Sequence, residues 1–360
     1  MRPRVRIAVN IGITYIAVLG VMTPHEGWAF DFHAFADVSY RIDQHNDGEP
    51  VENNGAVKIG PLDLFVAQSI GSQMDALAEF SIESGGIDLE RLQISQSFSD
   101  ALKVTVGRFH TPLGYWNTAY HHGAFLFTTI ERPFFLRFED DGGILPVHTV
   151  GVEATGRFFL PWAQLSYAAL AGNGPSIVDD QGTNVLDPNI ESDPNKNKAV
   201  GFHGEVKPAG LPGWLLGASY YQSRVVSTIP TLPLDVTQTI LGVNVNKTDG
   251  PLELLAEYYL LRHKDHLGAQ QDTTMDHLYY VQVSREFKQL VAPYVRHEQA
   301  SIEEGDPYAA ALSTVDTRIE TAGVHLWVGE QSALKLEARF VAMDGIEHHN
   351  EYAIQWAFTF

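Results

Sequence analysis

The sequence predicts an all-β protein: a transmembrane antiparallel β-barrel of about sixteen strands. Three observations carry that expectation: apolar and polar residues alternate with period two, connections alternate between short and long, and no apolar run after the leader is long enough for a spanning helix. Arg2, Arg4 and Arg6 precede the apolar run Ile7–Met22, and small residues bracket Gly27-Trp28-Ala29. That layout is a secretory signal peptide. We expect cleavage after Ala29, leaving residues 30–360 as a single barrel domain.

The first clear strand is Asp31–Arg41, where Phe32, Ala34, Ala36, Val38 and Tyr40 alternate with His33, Asp37, Ser39 and Arg41. Met74–Glu83 repeats the pattern, as does Leu334–Phe340 around Lys335, Glu337 and Arg339. Spans are expected near 31–41, 60–70, 74–84, 88–97, 101–110, 147–157, 161–172, 198–207, 214–224, 236–246, 252–263, 275–287, 290–298, 316–328, 333–341 and 351–360. The parities of Asp316–Val328 and Trp162–Gly172 are ambiguous, so fourteen or eighteen strands also fit. Short connections such as Gly71–Gln73 and Gly329–Ser332 fall on one side. Ile42–Ile59, His110–Pro146 and Asn173–Asn197 are among the long ones on the other. Trp162, Trp214, Trp327 and Trp356 lie near strand ends, where interfacial aromatic girdles form.

Composition narrows the chemistry. The 360 residues contain no Cys and carry a formal charge of −20. Absence of cysteine removes disulfides, thiolate metal sites and a thiol nucleophile. Strong acidity argues against nucleic acid as a partner. No Gly-x-Ser-x-Gly elbow is present, so no enzyme is expected. His121-His122, His263/His266 and His348-His349 sit in or beside loops without a third ligand, and Asp179–Asn197 reads as a solvated loop, so neither metal nor cofactor is expected.

The last strand sets Tyr352, Ile354, Trp356, Phe358 and the terminal Phe360 on one face. It resembles the assembly signal of bacterial outer-membrane barrels, which implies the barrel-assembly machinery as a partner. Gly107-Arg-Phe-His-Thr-Pro-Leu-Gly-Tyr-Trp-Asn117 and Arg137-Phe-Glu-Asp-Asp-Gly-Gly143-Ile-Leu-Pro-Val-His148 resemble a segment of the Gram-negative outer-membrane porins, in the broad group that includes phosphate-selective porins. The resemblance implies a water-filled channel in the outer membrane, contact with its lipids and usually a homotrimer. It also implies one long loop, here the third extracellular loop His110–Pro146, folded into the lumen. Lysine is sparse and mostly in turns or loops, so phosphate selectivity is not carried over.

With the apolar parity facing lipid, the wall of the pore is expected to present Arg41, Arg91, Lys103, Arg296, Lys335 and Arg339, with Asp75, Glu79 and Glu257 among the acids. The constriction loop should contribute Glu131, Arg132, Glu139, Asp140 and Asp141, anchored by Phe125, Phe127, Phe134, Phe135 and Phe138, with Gly142 and Gly143 allowing its tight return. Inward acids outnumber inward bases. The expected function is therefore passive diffusion of small hydrophilic solutes and ions with a weak cation preference. The alternatives are a substrate-selective channel for an anion or carboxylate, and a structural barrel that sheathes a partner. Removing Phe360, or placing aspartate at Phe358→Asp, is expected to impair membrane assembly. Normal insertion of both variants, scored by heat-modifiable gel migration, would contradict the role given to this strand.

Overall fold

The computed structural model describes residues 31–43, 55–83, 85–120, 123–139, 142–190, 193–194, 197–268 and 272–360. The expected leader at 1–29, His121, His122, Asp140 and Asp141 lie outside the described residues.

Alternating sequence becomes one antiparallel sheet that closes on itself. The strands are β1 (Asp31–Asp43), β2 (Ala56–Ile59), β3 (Leu62–Ile70), β4 (Met74–Glu83), β5 (Gly86–Ser99), β6 (Leu102–His110) and β7 (His148–Leu160). They continue as β8 (Ala163–Asn173), β9 (Ser176–Asp180), β10 (Thr183–Asp187), β11 (Lys198–Pro208), β12 (Trp214–Ser227) and β13 (Asp235–Lys247). The remainder are β14 (Leu252–Asp265), β15 (Thr273–Arg285), β16 (Val291–Ser301), β17 (Thr317–Trp327), β18 (Ser332–Met343) and β19 (His349–Thr359). β2 and β3 both pair with β1 and form one barrel strand, interrupted at Gly60-Pro61, where Pro61 has no N–H for the ladder. With β9 and β10 set apart as a loop hairpin, sixteen strands make the barrel. β1 and β19 seal it from Phe35 opposite Thr359 to Asp43 opposite Glu351. No open edge is left for hydrocarbon to strand.

Each of the sixteen expected strands has its counterpart, and the differences have local causes. The second strand begins at Ala56 rather than residue 60, because Val57, Lys58 and Ile59 pair with Tyr40, Ser39 and Val38. The Asp/Asn-rich stretch after Asn173 is not a plain loop. Gln181 (φ 55°) and Gly182 (φ 92°) form a tight turn between β9 and β10, and Ile177, Val185 and Leu186 are buried beneath it. In β17 the ambiguous parity resolves with Thr317, Ile319, Thr321 and His325 inward. Arg318 and Glu320 face outward, near the long-loop end, where Glu320 meets His297 on the neighbouring strand at 2.8 Å. Trp162 and Trp356 stand exposed on the outer surface, as a girdle requires. Trp327 instead has inward parity opposite Ala333 and packs beside His325.

The outer surface carries exposed Val38, Leu92, Val152, Phe202, Leu241 and Ile354, an apolar face that only a lipid environment matches. No helix among the described residues is long and apolar enough to cross a membrane. The barrel's packed core lies inside. The third long loop (L3, residues 111–147) carries α1 (Trp116–Ala119) and a 3-10 turn at Phe134–Leu136. Leu113, Trp116, Phe127, Phe135, Leu136, Ile144 and Leu145 are buried in one cluster with Tyr221, Leu255, Tyr259, Leu278 and Tyr280 of the wall.

Parity at mid-height is directly testable on β13. Leu241→Arg, on the lipid face, is expected to cost about 2–4 kcal/mol of folding free energy in bilayers. Asn244→Asp, on the inward face, should leave insertion intact. Equal folded fractions for the two variants in lipid vesicles would contradict the assigned faces.

Candidate pore constriction

A loop lodged inside a barrel takes its backbone amides and carbonyls away from bulk water, so each needs a partner. The inward charges supply them. Glu257, on β14, accepts from Tyr115 N at 3.1 Å and Trp116 N at 2.7 Å, and from the hydroxyls of Tyr259 (2.5 Å) and Tyr280 (2.6 Å). Glu298 accepts from Phe134 N at 2.7 Å and from Arg296 Nε at 2.7 Å. Glu337 accepts from Ile130 N at 2.8 Å and Tyr294 Oη at 2.9 Å. Asp63 accepts from Gly123 N at 3.2 Å. Bases serve the carbonyls. Lys335 Nζ donates to Ala124 O, to Phe127 O at 2.7 Å and to Thr129 O at 2.8 Å. Arg296 donates to Glu131 O at 2.8 Å and Arg132 O at 3.2 Å. Acids bind loop N–H groups at 115, 116, 123, 130 and 134, and bases bind loop C=O groups at 124, 127, 129, 131 and 132.

Aromatic packing reinforces these bonds. Trp116 meets Tyr280 edge-on at 5.9 Å and Phe127 at 5.6 Å, while Phe135 contacts Tyr259 at 6.0 Å. Gly114 (φ +67°) allows the approach to Glu257 and Tyr259, since a Cβ there would lie 1.8 Å from Glu257 Oε2. Of the expected phenylalanine anchors, Phe127 and Phe135 are buried, while Phe125, Phe134 and Phe138 are half-buried.

The candidate residues fall into three groups. Glu257, Arg296 and Lys335 are fully buried against L3. Glu139 closes the return of the loop: it accepts from Val147 N at 2.7 Å and His148 N at 2.6 Å, and meets His148 Nδ1 at 2.9 Å. Burial would raise its pKa, but His148 and Arg108 beside it hold the carboxyl below the usual range. Arg132 donates to Leu136 O at 2.8 Å and stacks 4.1 Å over the Phe138 ring, which itself stacks on His148.

A second group forms ion pairs, one between L3 and β1 and one between the adjacent strands β18 and β19. Glu131 meets Arg41, and Arg339 meets Glu351. Burial would raise the Glu131 carboxyl, yet Arg41, Arg339 and Arg137 around it keep it ionised and low. A third group sits on the wall away from these pairs. Arg91 pairs with Glu79 at a bulge in β5 and lies 5.6 Å over Phe65. Lys103 is half-buried on β6, opposite Thr155. Asp75 is exposed beside the short turn after β3, accepting from Ser69 at 2.9 Å.

Open space remains on the side that L3 does not fill. A cavity of about 170 Å³ is lined by Arg41, Lys58, Glu131, Arg137, Arg339 and Glu351. A second, of about 230 Å³, shares Arg41 and Lys58 and reaches Asp63, Arg132 and Phe138. Lys58 and Arg137 were not among the candidates. Lys58 was legible in principle, since it alternates with the outward Val57 and Ile59 and lies opposite the inward Ser39. Arg137 carries no such periodic signal.

His263 also departs from expectation. Grouped in the sequence with His266 as a surface histidine, it is fully buried on the inward face of β14 and bonds Asp306 at 2.6 Å, while His266 bonds Thr237.

No family model matches the chain, and no curated protein matches it by sequence. Solved structures do. The outer-membrane channel DcaP of Acinetobacter baumannii aligns with TM-score 0.65 at 12% identity, covering 94% of this chain and 99% of that one. The anion-selective porin from Comamonas acidovorans aligns with TM-score 0.62 at 11% identity, over 93% and 100%. The Salmonella typhi OmpF complex with daunomycin gives 0.62 at 11%, over 93% and 98%. At such identities the likeness lies in the architecture alone: the chain has the fold of the Gram-negative outer-membrane porins.

Proposed function

We propose that this chain is an outer-membrane porin, a passive diffusion channel for small hydrophilic solutes and ions, exported by a cleaved leader, inserted by the barrel-assembly machinery and assembled as a homotrimer. The observation that carries the reading is the lodging of L3 against the β12–β18 wall, with open space left between the loop and the β1–β3 side of the lumen. Such an arrangement narrows a wide barrel without sealing it.

Ionic preference has two readings. The count of inward acids favours cations, as does the net charge of −20. Glu257, Glu298 and Glu337, however, are buried and committed to loop N–H groups, which leaves them less able to act on a passing ion. Arg41, Lys58, Arg132, Arg137 and Arg339 line the adjoining cavities with Asp37, Asp63, Glu131, Glu337 and Glu351; Glu131 and Glu351 are paired to Arg41 and Arg339, and Asp37, Asp63 and Glu337 accept from Gln355, Gly123 N and Ile130 N. Local charge acts within a screening length of ~8 Å, so we read the constriction itself as weakly anion-preferring.

Lys58 is the residue to change, because it is exposed and, among the described residues, holds no part of L3. In planar bilayers under a salt gradient, the wild-type reversal potential should have the sign of weak anion selectivity, and Lys58→Glu should move it toward cations. A cation-selective wild type would overturn this preference and favour the acid count instead. A folded barrel with no conductance would overturn the channel reading altogether and leave a structural or partner-sheathing barrel.

A further inference from the structure

A second long loop also turns into the barrel. L7 (residues 302–316) carries the short helix α2 (Pro307–Ala311), capped by Asp306, whose Oδ1 accepts from Tyr308 N at 2.7 Å and Ala309 N at 2.9 Å. The other oxygen, Oδ2, lies 2.6 Å from His263 Nδ1 and accepts the Thr274 hydroxyl at 2.5 Å. Asp276, on β15, brings its Oδ2 to 3.5 Å from the same Nδ1, while its Oδ1 accepts from Glu303 N at 2.9 Å. One donor atom from each of His263, Asp276 and Asp306 thus converges, all within 4.8 Å of one another. The three side chains come from β14, β15 and L7, and all are at least 98% buried.

Two features of this cluster lack compensation. With both carboxylates ionised, the site is negative whether the imidazole is neutral or protonated. Among the described residues, no lysine or arginine forms an ion pair with either acid. Buried net charge of this kind is costly unless a counter-ion is present. Independently, Gln238 is fully buried with its amide nitrogen 3.0 Å from His263 Nε2, and its Oε1 has no partner among the described residues. Rotating that amide lets Oε1 accept from Nε2–H, which turns the Nδ1 lone pair toward the carboxylates. Metal-ligating histidines are held in this way, with the far N–H donated to an oxygen.

We propose that His263, Asp276 and Asp306 form a binding site for one divalent ion of the zinc class, with the Thr274 hydroxyl or a water completing the coordination. One nitrogen and two carboxylate oxygens suit a borderline metal better than calcium, which takes six to eight oxygens. Ligand atoms around a tetrahedral zinc stand about 3.3 Å apart, and the separations of 2.6 and 3.5 Å bracket that value. A bound ion would staple L7 to the wall. Tyr308, in α2, packs at a tilt against His263 with ring centroids 4.5 Å apart and donates to Ile144 O of L3 at 2.6 Å, so the staple would reach the constriction loop as well.

The test uses the folded full-length barrel in detergent, stripped with chelator and titrated with Zn²⁺ by calorimetry. One ion per chain is expected, with an upward shift of the thermal unfolding midpoint. His263→Ala should abolish binding. Asp306→Asn disturbs the α2 cap and can fail to fold, so Asp276→Asn, which keeps an acceptor for Glu303 N, is the decisive variant. It should weaken binding at least tenfold with unchanged β-sheet circular dichroism and gel migration. No stoichiometric binding by folded wild type, binding indifferent to both His263→Ala and Asp276→Asn, or equal binding of Ca²⁺ would each overturn the proposal. Because the readout is binding and not conductance, its failure would leave the channel reading untouched.

Discussion

The structure depends on one constraint: a polypeptide loop placed inside a barrel must have its backbone polar groups satisfied there. An unmade hydrogen bond to a buried amide or carbonyl costs about 1–3 kcal/mol, and L3 would forfeit many. The wall answers with charge-assisted bonds, which are stronger than neutral ones and match carboxylates to N–H groups and ammonium or guanidinium groups to carbonyls. Glu257, Glu298 and Glu337 perform the first task and Lys335 and Arg296 the second. The charges are therefore interdependent. Arg296 bridges Glu298 and the loop carbonyls, so removing either partner leaves a buried charge on the other.

This assignment separates two roles that inward charges in a barrel can play. Those under L3 are structural, buried and bonded to the loop. Those on the far side, Arg41, Lys58 and Arg137 among them, border open space. Asymmetry of this kind follows from the loop's own composition: its apolar face, with Trp116, Phe127 and Phe135, seeks the aromatic stretch of wall at Tyr259 and Tyr280. The loop thus chooses its side, and the cavities lie on the opposite side.

The strands were legible because alternation is local, and residues i and i+2 declare their face without reference to the rest of the chain. The inward fold of L3 was legible from its length and its phenylalanines, together with the porin resemblance. Pairings across the lumen were not. Nothing near Glu257 in sequence announces that it holds Trp116, 141 residues away, or that His263 meets Asp306, 43 residues on. The β9–β10 hairpin was hidden by its polar composition, since only Ile177, Val185 and Leu186 mark the buried side. Two acids of the anticipated constriction, Asp140 and Asp141, lie outside the described residues. For Glu131 and Glu139 the deciding partners are Arg41, and His148 with Arg108, which sequence spacing does not connect to them.

Amide hydrogen exchange of the folded barrel tests the pinning of L3 most directly. The N–H groups of Tyr115, Trp116, Ile130 and Phe134, each bonded to a wall carboxylate, are expected to exchange orders of magnitude more slowly than those of an exposed loop. Glu257→Gln and Glu337→Gln should release their own segments selectively. Exchange of the whole 113–136 segment at the rate of unstructured peptide, in a barrel whose strands stay protected, would contradict the account.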